Sequence, residues 1–280
     1  MATRQDEHVD DTEDFPGKHT SVSTVDGGAC LNGHVSNRSL AKGMRLPNGK
    51  PIETVTEESC NYRWQGFRRA LDDDSRRYNW PRYKDLAQKN LSLFTRLRFG
   101  VRKVKPPNET ERSWDVTEDG LNFRSSCNYP YWHESHHIVP HGELRDAIED
   151  VGEGSLCEIY RRCIRKGLLE EMYNLNFKDN MVILPMDRKI AKTIKLPRHR
   201  MTPGHRSHRA YSKYVNQKLS AIFDKVKKQE KKHIKKPKYK KCKRQLLSAA
   251  KALRTEIFAA GGLVSLDEAF KKRVQVKPSQ

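Results

Sequence analysis

Histidines set the first problem in this sequence. The stretch from Tyr131 to His141, Tyr-Trp-His-Glu-Ser-His-His-Ile-Val-Pro-His, carries four of the chain's eleven histidines. Further on come Asn180-Met-Val-Ile-Leu-Pro185 and Gly204-His-Arg-Ser-His208. A neutral imidazole binds a divalent cation well, so His136 and His208 could hold one ion from two separate elements. His205 lies three residues before His208, on the same helical face, and could supply a third bond. His137, beside the ion without touching it, would take a proton from an attacking water, a task for a group titrating near neutrality. Asn180 would hydrogen-bond the backbone near the histidine pair and fix the ring orientation. This is the equipment of metal-dependent phosphodiester hydrolysis.

These roles require particular elements. Ile138-Val139-Pro140 after the histidine pair reads as the end of a strand, and a strand points neighbouring side chains to opposite faces. His136 and His137 are therefore expected to do different work. Residues 180–185 form a short apolar run closed by proline, a second buried strand. Tyr211, Tyr214, Val215, Leu219, Ile222, Phe223 and Val226 keep the i, i+3, i+4, i+7 rhythm of an amphipathic helix. His205 and His208 open that helix, and Ser207 is available as its cap. Arg206, Arg209 and Lys213, around the same helix start, are candidate nucleic-acid contacts.

Between the strands, Leu144 and Ile148, then Leu156, Ile159, Tyr160, Cys163, Ile164, Leu168 and Met172, predict inserted helices with these residues in the core. Upstream, residues 59–128 read as a helical basic region, and Asp72-Asp73-Asp74 in it as a solvated helix end or linker. Residues 1–58 read as a disordered leader, with Asn48-Gly49 as a turn or small hairpin near its end. Residues 227–280 read as a basic helical tail; Lys225 to Arg244 holds twelve Lys or Arg and one Glu.

Composition narrows the partner. The net charge of +20 suits a polyanion, nucleic acid first. No apolar run approaches a spanning helix, and the acidic, polar start is unlike a secretory signal. Cysteines 30, 60, 127, 157, 163 and 242 form no CxxC pair, which argues for reduced thiols rather than a disulfide framework or cysteine zinc ribbon. The expected location is cytoplasmic, or secretion into a target cell without a signal peptide.

Ser135-His136-His137-Ile-Val-Pro140, Asn180 to Pro185, and Gly204 to Ser212 with Val215 together resemble the AHH branch of the HNH/endonuclease VII superfamily, over residues 131–226. The resemblance implies a ββα-metal fold cutting nucleic acid with one divalent ion. It implies His136 as metal ligand, His137 as general base, Asn180 as the structural asparagine, and His208 with His205 as ligands. Many members are toxins of bacterial competition, neutralised by a dedicated immunity protein. Ser135 replaces the family's alanine, the gap between His137 and Asn180 is long, and His199 competes with His205 and His208 as a ligand.

His133-Glu134-Ser135-His136-His137 also spells HExxH, the zinc-protease signature, which works only on a helix. Pro130, Pro140 and the flanking β-branched residues oppose one. The other competing reading is a non-catalytic basic nucleic-acid-binding protein with a structural metal site. The favoured expectation is a predominantly helical α+β protein with a nuclease domain over 129–226, a helical insert and flanking basic helices. It would hydrolyse DNA ahead of RNA, with low sequence specificity. The expected cofactor is zinc or magnesium, with manganese or nickel also compatible.

Overall fold

The structure, a computed structural model, describes residues 29–32, 40–45, 51–53, 62–73, 133–151, 157–200, 208–230 and 239–274. Strands β1 (Leu40–Arg45) and β2 (Pro51–Glu53) pair antiparallel. Asn48-Gly49, the predicted turn between them, lies outside the described residues. Helix α1 (Tyr62–Asp72) follows, then strand β3 (His133–His137). Helices α2 (His141–Glu149) and α3 (Cys157–Glu170) fill the interval before strand β4 (Met181–Pro185). Helices α4 (Arg188–Ile194), α5 (Arg209–Glu230), α6 (Tyr239–Ala260) and α7 (Leu266–Lys271) complete the order. The fold is mostly helical around a small antiparallel sheet.

β3 and β4 pair antiparallel in one unbroken register, His133 opposite Pro185 and His137 opposite Met181. All five residues of β4 are buried, which is why it reads as a continuous apolar run rather than an alternating one. α1 lies against both strands. A Cβ on its Gly66 would come within 2.6 Å of the Ser135 hydroxyl oxygen, so this helix face is shaped to the strand. At its end Asp72 pairs with Lys178, and Asp73 pairs with Arg69 and Arg254. The acidic run thus ends a helix, as expected, but Asp73 is tied into the fold rather than solvated.

Along α5, Tyr211, Val215, Leu219, Ile222, Phe223 and Val226 are buried, the face the helical period predicted. In α2, Leu144 and Ile148 are buried as predicted, but α3 departs from its stripe. Ile164 and Leu168 are buried, but Ile159 is 57% exposed and Met172 41%, and Cys163 is exposed as well. α3 packs against α2 and α6, with Tyr239 set directly against Gly167, where a Cβ would lie 2.1 Å from the ring. Met172 takes a left-handed φ of 56° after α3, which turns it out of the stripe.

Two segments read as a leader and a basic helical tail join the core. Ala29–Asn32, inside the predicted leader, are buried and bridge Asn174, with Cys30 N donating to Tyr173 O at 2.9 Å. In α6, Arg254 is buried and donates to Met181 O of β4 at 2.8 Å. Three apolar residues carry no periodicity, and a basic helix looks solvated until its partners are known. Neither signal is local.

No helix among the described residues is long and apolar enough to cross a membrane. Among the described residues, Cys30, Cys163 and Cys242 form no disulfide.

Candidate metal centre and its base

β3 sends its two adjacent histidines to different neighbours. His136 is buried, with its ring centroid 4.8 Å from His199, 4.8 Å from His208 and 5.3 Å from Tyr211. His137 is half-buried on the other side, 4.9 Å from the Tyr62 ring, and shares a hydrogen bond of 2.8 Å between Nε2 and Asn176 Oδ1.

Each member of the histidine triangle is delivered by a fixed element. His208 directly precedes α5, where its carbonyl accepts the first helical bond from Ser212 N at 3.0 Å. Asp267 of α7 accepts from Ala210 N at 2.6 Å, so a remote carboxylate caps this helix start. Tyr211 donates its hydroxyl to Ile138 O at the end of β3 and ties the helix to the strand. His199 sits in a loop held at both ends. Its own N donates to Pro185 O at 2.9 Å, and Arg198 exchanges backbone bonds with Val264 and Leu266. That loop leaves α4, which is capped by Asp187 and stopped by Lys195 at a left-handed φ of 56°.

One ligand atom from each of His136, His199 and His208 lies within 4.8 Å of the others. Bonds of about 2.0–2.1 Å to a tetrahedral ion place ligand nitrogens about 3.4 Å apart, so small ring rotations close the set. The protonation pattern suits an ion. Glu134 is ionised: burial pushes its carboxyl up, but His199 and Arg200 reverse that and hold it at about 2. Glu134 Oε2 lies 2.5 Å from His199 Nδ1 and accepts from Arg200 Nη2 at 2.8 Å. A carboxylate can only accept, so this contact favours a proton on His199 Nδ1.

His199 Nε2 lies 3.0 Å from His136 Nδ1, and the two nitrogens share one hydrogen bond. His136 Nε2 is buried with no hydrogen-bond partner among the described residues, an unsatisfied nitrogen of the kind a cation can take up. Burial, then the neighbouring His199 and His208, holds His136 well below the ordinary imidazole range. Burial, then His199, lowers His208 to about 3. His136 and His208 are thus held in the neutral form that binds a divalent ion.

Asn180 does not touch the histidines. Its Oδ1 accepts from Val139 N at 2.8 Å, and its Nδ2 donates to Val139 O at 3.1 Å and Leu175 O at 2.7 Å. It clamps the backbone that leaves β3. Arg209 and Lys213 are exposed on α5 beside His208. His205 and Arg206 lie outside the described residues.

Two residues gain weight that the sequence did not give them. His199 is a full member of the triangle rather than a competitor, although nothing in Arg-His-Arg marks it. Glu134 orients His199, whereas its only sequence signal was the protease motif. That motif lies on a strand, where His133 and His137 stand about 13 Å apart, too far to share one ion.

Residues 119–251 match the model of AHH, described as a nuclease family of the HNH/ENDO VII superfamily with conserved AHH. The match takes in the sheet, the helical insert, the histidine triangle and half of α6. Neither the curated proteins nor the solved structures compared with the chain gave a match.

Proposed function

Because residues 119–251 of this chain match the model of the AHH family of nucleases, we propose that the protein is a metal-dependent endonuclease with a ββα-metal core formed by β3, β4 and the start of α5. Its substrate is nucleic acid, DNA ahead of RNA, cut with low sequence specificity. The observation that carries this reading is the convergence of His136, His199 and His208 beside a second, differently oriented histidine, His137.

In this reading His136, His199 and His208 hold one divalent ion, zinc or magnesium, with manganese or nickel as further candidates. When bound, that ion supplies Lewis-acid stabilisation of the charge that gathers on the phosphate and leaving oxygen. Glu134 keeps the His199 proton away from the ligand nitrogen. His137 accepts a proton from water as the water oxygen bonds to phosphorus and the bond to the leaving sugar oxygen breaks. General-base assistance of this kind is worth about 10²–10⁴-fold in rate. Asn180 holds the backbone at Val139, so the strand end that carries both histidines cannot drift.

The basic surface serves the polyanion. Arg209 and Lys213, with Arg206, would contact phosphates beside the site, and affinity should fall steeply with salt. The test is incubation of the purified protein with plasmid DNA and with total RNA, under Mg²⁺, Mn²⁺, Zn²⁺ or EDTA. Cutting that needs metal and stops with EDTA supports the proposal and identifies the substrate. Retarded but intact nucleic acid under every metal would instead establish a binding protein.

A further inference from the structure

His137 makes a hydrogen bond whose direction is fixed by atoms well away from it. Asn176 is fully buried, and its amide nitrogen donates to Asn32 O at 2.7 Å and reaches Cys30 Sγ at 3.4 Å. A carbonyl oxygen can only accept, so the amide cannot be flipped: Nδ2 must face Asn32. Oδ1 then faces His137 Nε2 at 2.8 Å, and an amide oxygen also only accepts. His137 must therefore carry its proton on Nε2, and in the neutral ring the lone pair sits on Nδ1.

We infer that Asn176 is a positioning residue that fixes the tautomer of His137, and that the buried segment Cys30–Asn32 fixes Asn176 in turn. The inference rests on the reading of His137 as the base, because a base needs its lone pair on the nitrogen that meets water. The chain of fixing bonds is continuous. Cys30 N and O bond Tyr173 O and Leu175 N at 2.9 and 2.7 Å, which holds the segment in register with residues 173–176. Asn176 N is itself held by Asn174 Oδ1 at 2.8 Å. Residues 30–32 lie far ahead of the span 119–251 that matches the nuclease family, so a segment from outside that span completes the setting of the base.

The consequence is a dependence that packing alone would not produce. Asn176→Ala removes the acceptor and frees the His137 proton to move between its nitrogens. Asn176→Asp keeps an acceptor oxygen toward Nε2 and so the tautomer, although its second oxygen faces the Asn32 carbonyl with no proton to donate, so the fold should weaken.

The experiment is nitrogen NMR of the imidazoles in the full chain with EDTA, at a pH where the His137 ring is neutral. The His137 signals are assigned by their loss in His137→Gln. Wild type and Asn176→Asp should show the proton on Nε2, and Asn176→Ala a mixture of tautomers. In the cleavage assay Asn176→Ala should lose about 10- to 100-fold in kcat with KM little changed, the usual scale for a residue that orients another. Asn176→Asp should recover a large part of that loss.

A proton on Nδ1 in the wild type overturns the inference without any variant having to fold. So does a folded Asn176→Ala whose tautomer matches wild type. The spectrum and the assay separate the two claims: Nε2–H in a wild type that cuts nothing supports the clamp and refutes the nuclease reading.

Discussion

His136 Nδ1 and His199 Nε2 face each other across 3.0 Å, one from the end of a strand and the other from a loop more than sixty residues later. The carboxylate that sets this contact, Glu134, is two residues from His136 on the same strand, and it holds the far nitrogen of His199 at 2.5 Å. A strand thus carries both a ligand and the group that orients the second ligand.

The first prediction tests that relay. Glu134→Gln preserves size but can present an N–H to His199 Nδ1, which removes the reason for the proton to stay there. Affinity for zinc, measured by calorimetry on the folded chain, should fall about 10- to 100-fold. His199→Ala should lower it further, since a ligand is gone. Unchanged affinity in both variants would remove His199 from the centre.

Ser135 offers a second test. Its hydroxyl is buried without a hydrogen-bond partner among the described residues, pressed against Gly66. Ser135→Ala, which supplies the alanine of the family's own description, should stabilise the fold by about 1 kcal/mol. Gly66→Ala should gain its helix-propensity benefit of about 0.5–1 kcal/mol fully only in the Ser135→Ala background. Urea denaturation of both single variants and the double variant measures this coupling; simple additivity would contradict it.

The third prediction concerns helix α6. Arg254→Ala leaves Met181 O and the buried side of Asp73 without their partner. The loss should be about 3 kcal/mol, the scale for breaking a buried pair from one side. A change within a few tenths of a kcal/mol would mean that α6 is a separate tail.

Alkaline pH gives a fourth. Burial pushes the Cys242 thiol from 9.0 up to about 12 and the Tyr211 hydroxyl well above its usual value. Above about pH 9 the unfolded chain therefore loses protons that the folded chain keeps, and stability declines as pH rises toward 12. Chemical denaturation across this range should show a shallower decline in Cys242→Ala than in wild type. An identical slope would contradict the thiol's share.

What could be read from the sequence was what local pattern encodes. β4 is legible as a short apolar run closed by a proline, β3 because Ile138-Val139-Pro140 follows directly on it, and α5 because its period is unbroken from Tyr211 to Val226. His199 is not legible, because its place depends on Glu134 and on backbone bonds to Pro185, Val264 and Leu266, all distant in sequence. Nor is the segment 29–32: three apolar residues in a polar stretch have no period, and their partner at Asn176 lies 144 residues beyond Asn32. Ile159 and Met172 mislead in the opposite direction, since hydrophobic periodicity marks a possible face but not the width of the contact that covers it.

The central claim is that three histidines hold the ion while His137 does the proton transfer. The most direct measurement compares His137→Ala with wild type for zinc binding and for cleavage of nucleic acid in the same preparation. The account predicts one ion bound by each chain with similar affinity, and cleavage by the wild type alone. Cleavage by His137→Ala at the wild-type rate, or wild-type cleavage that persists in EDTA, would contradict it.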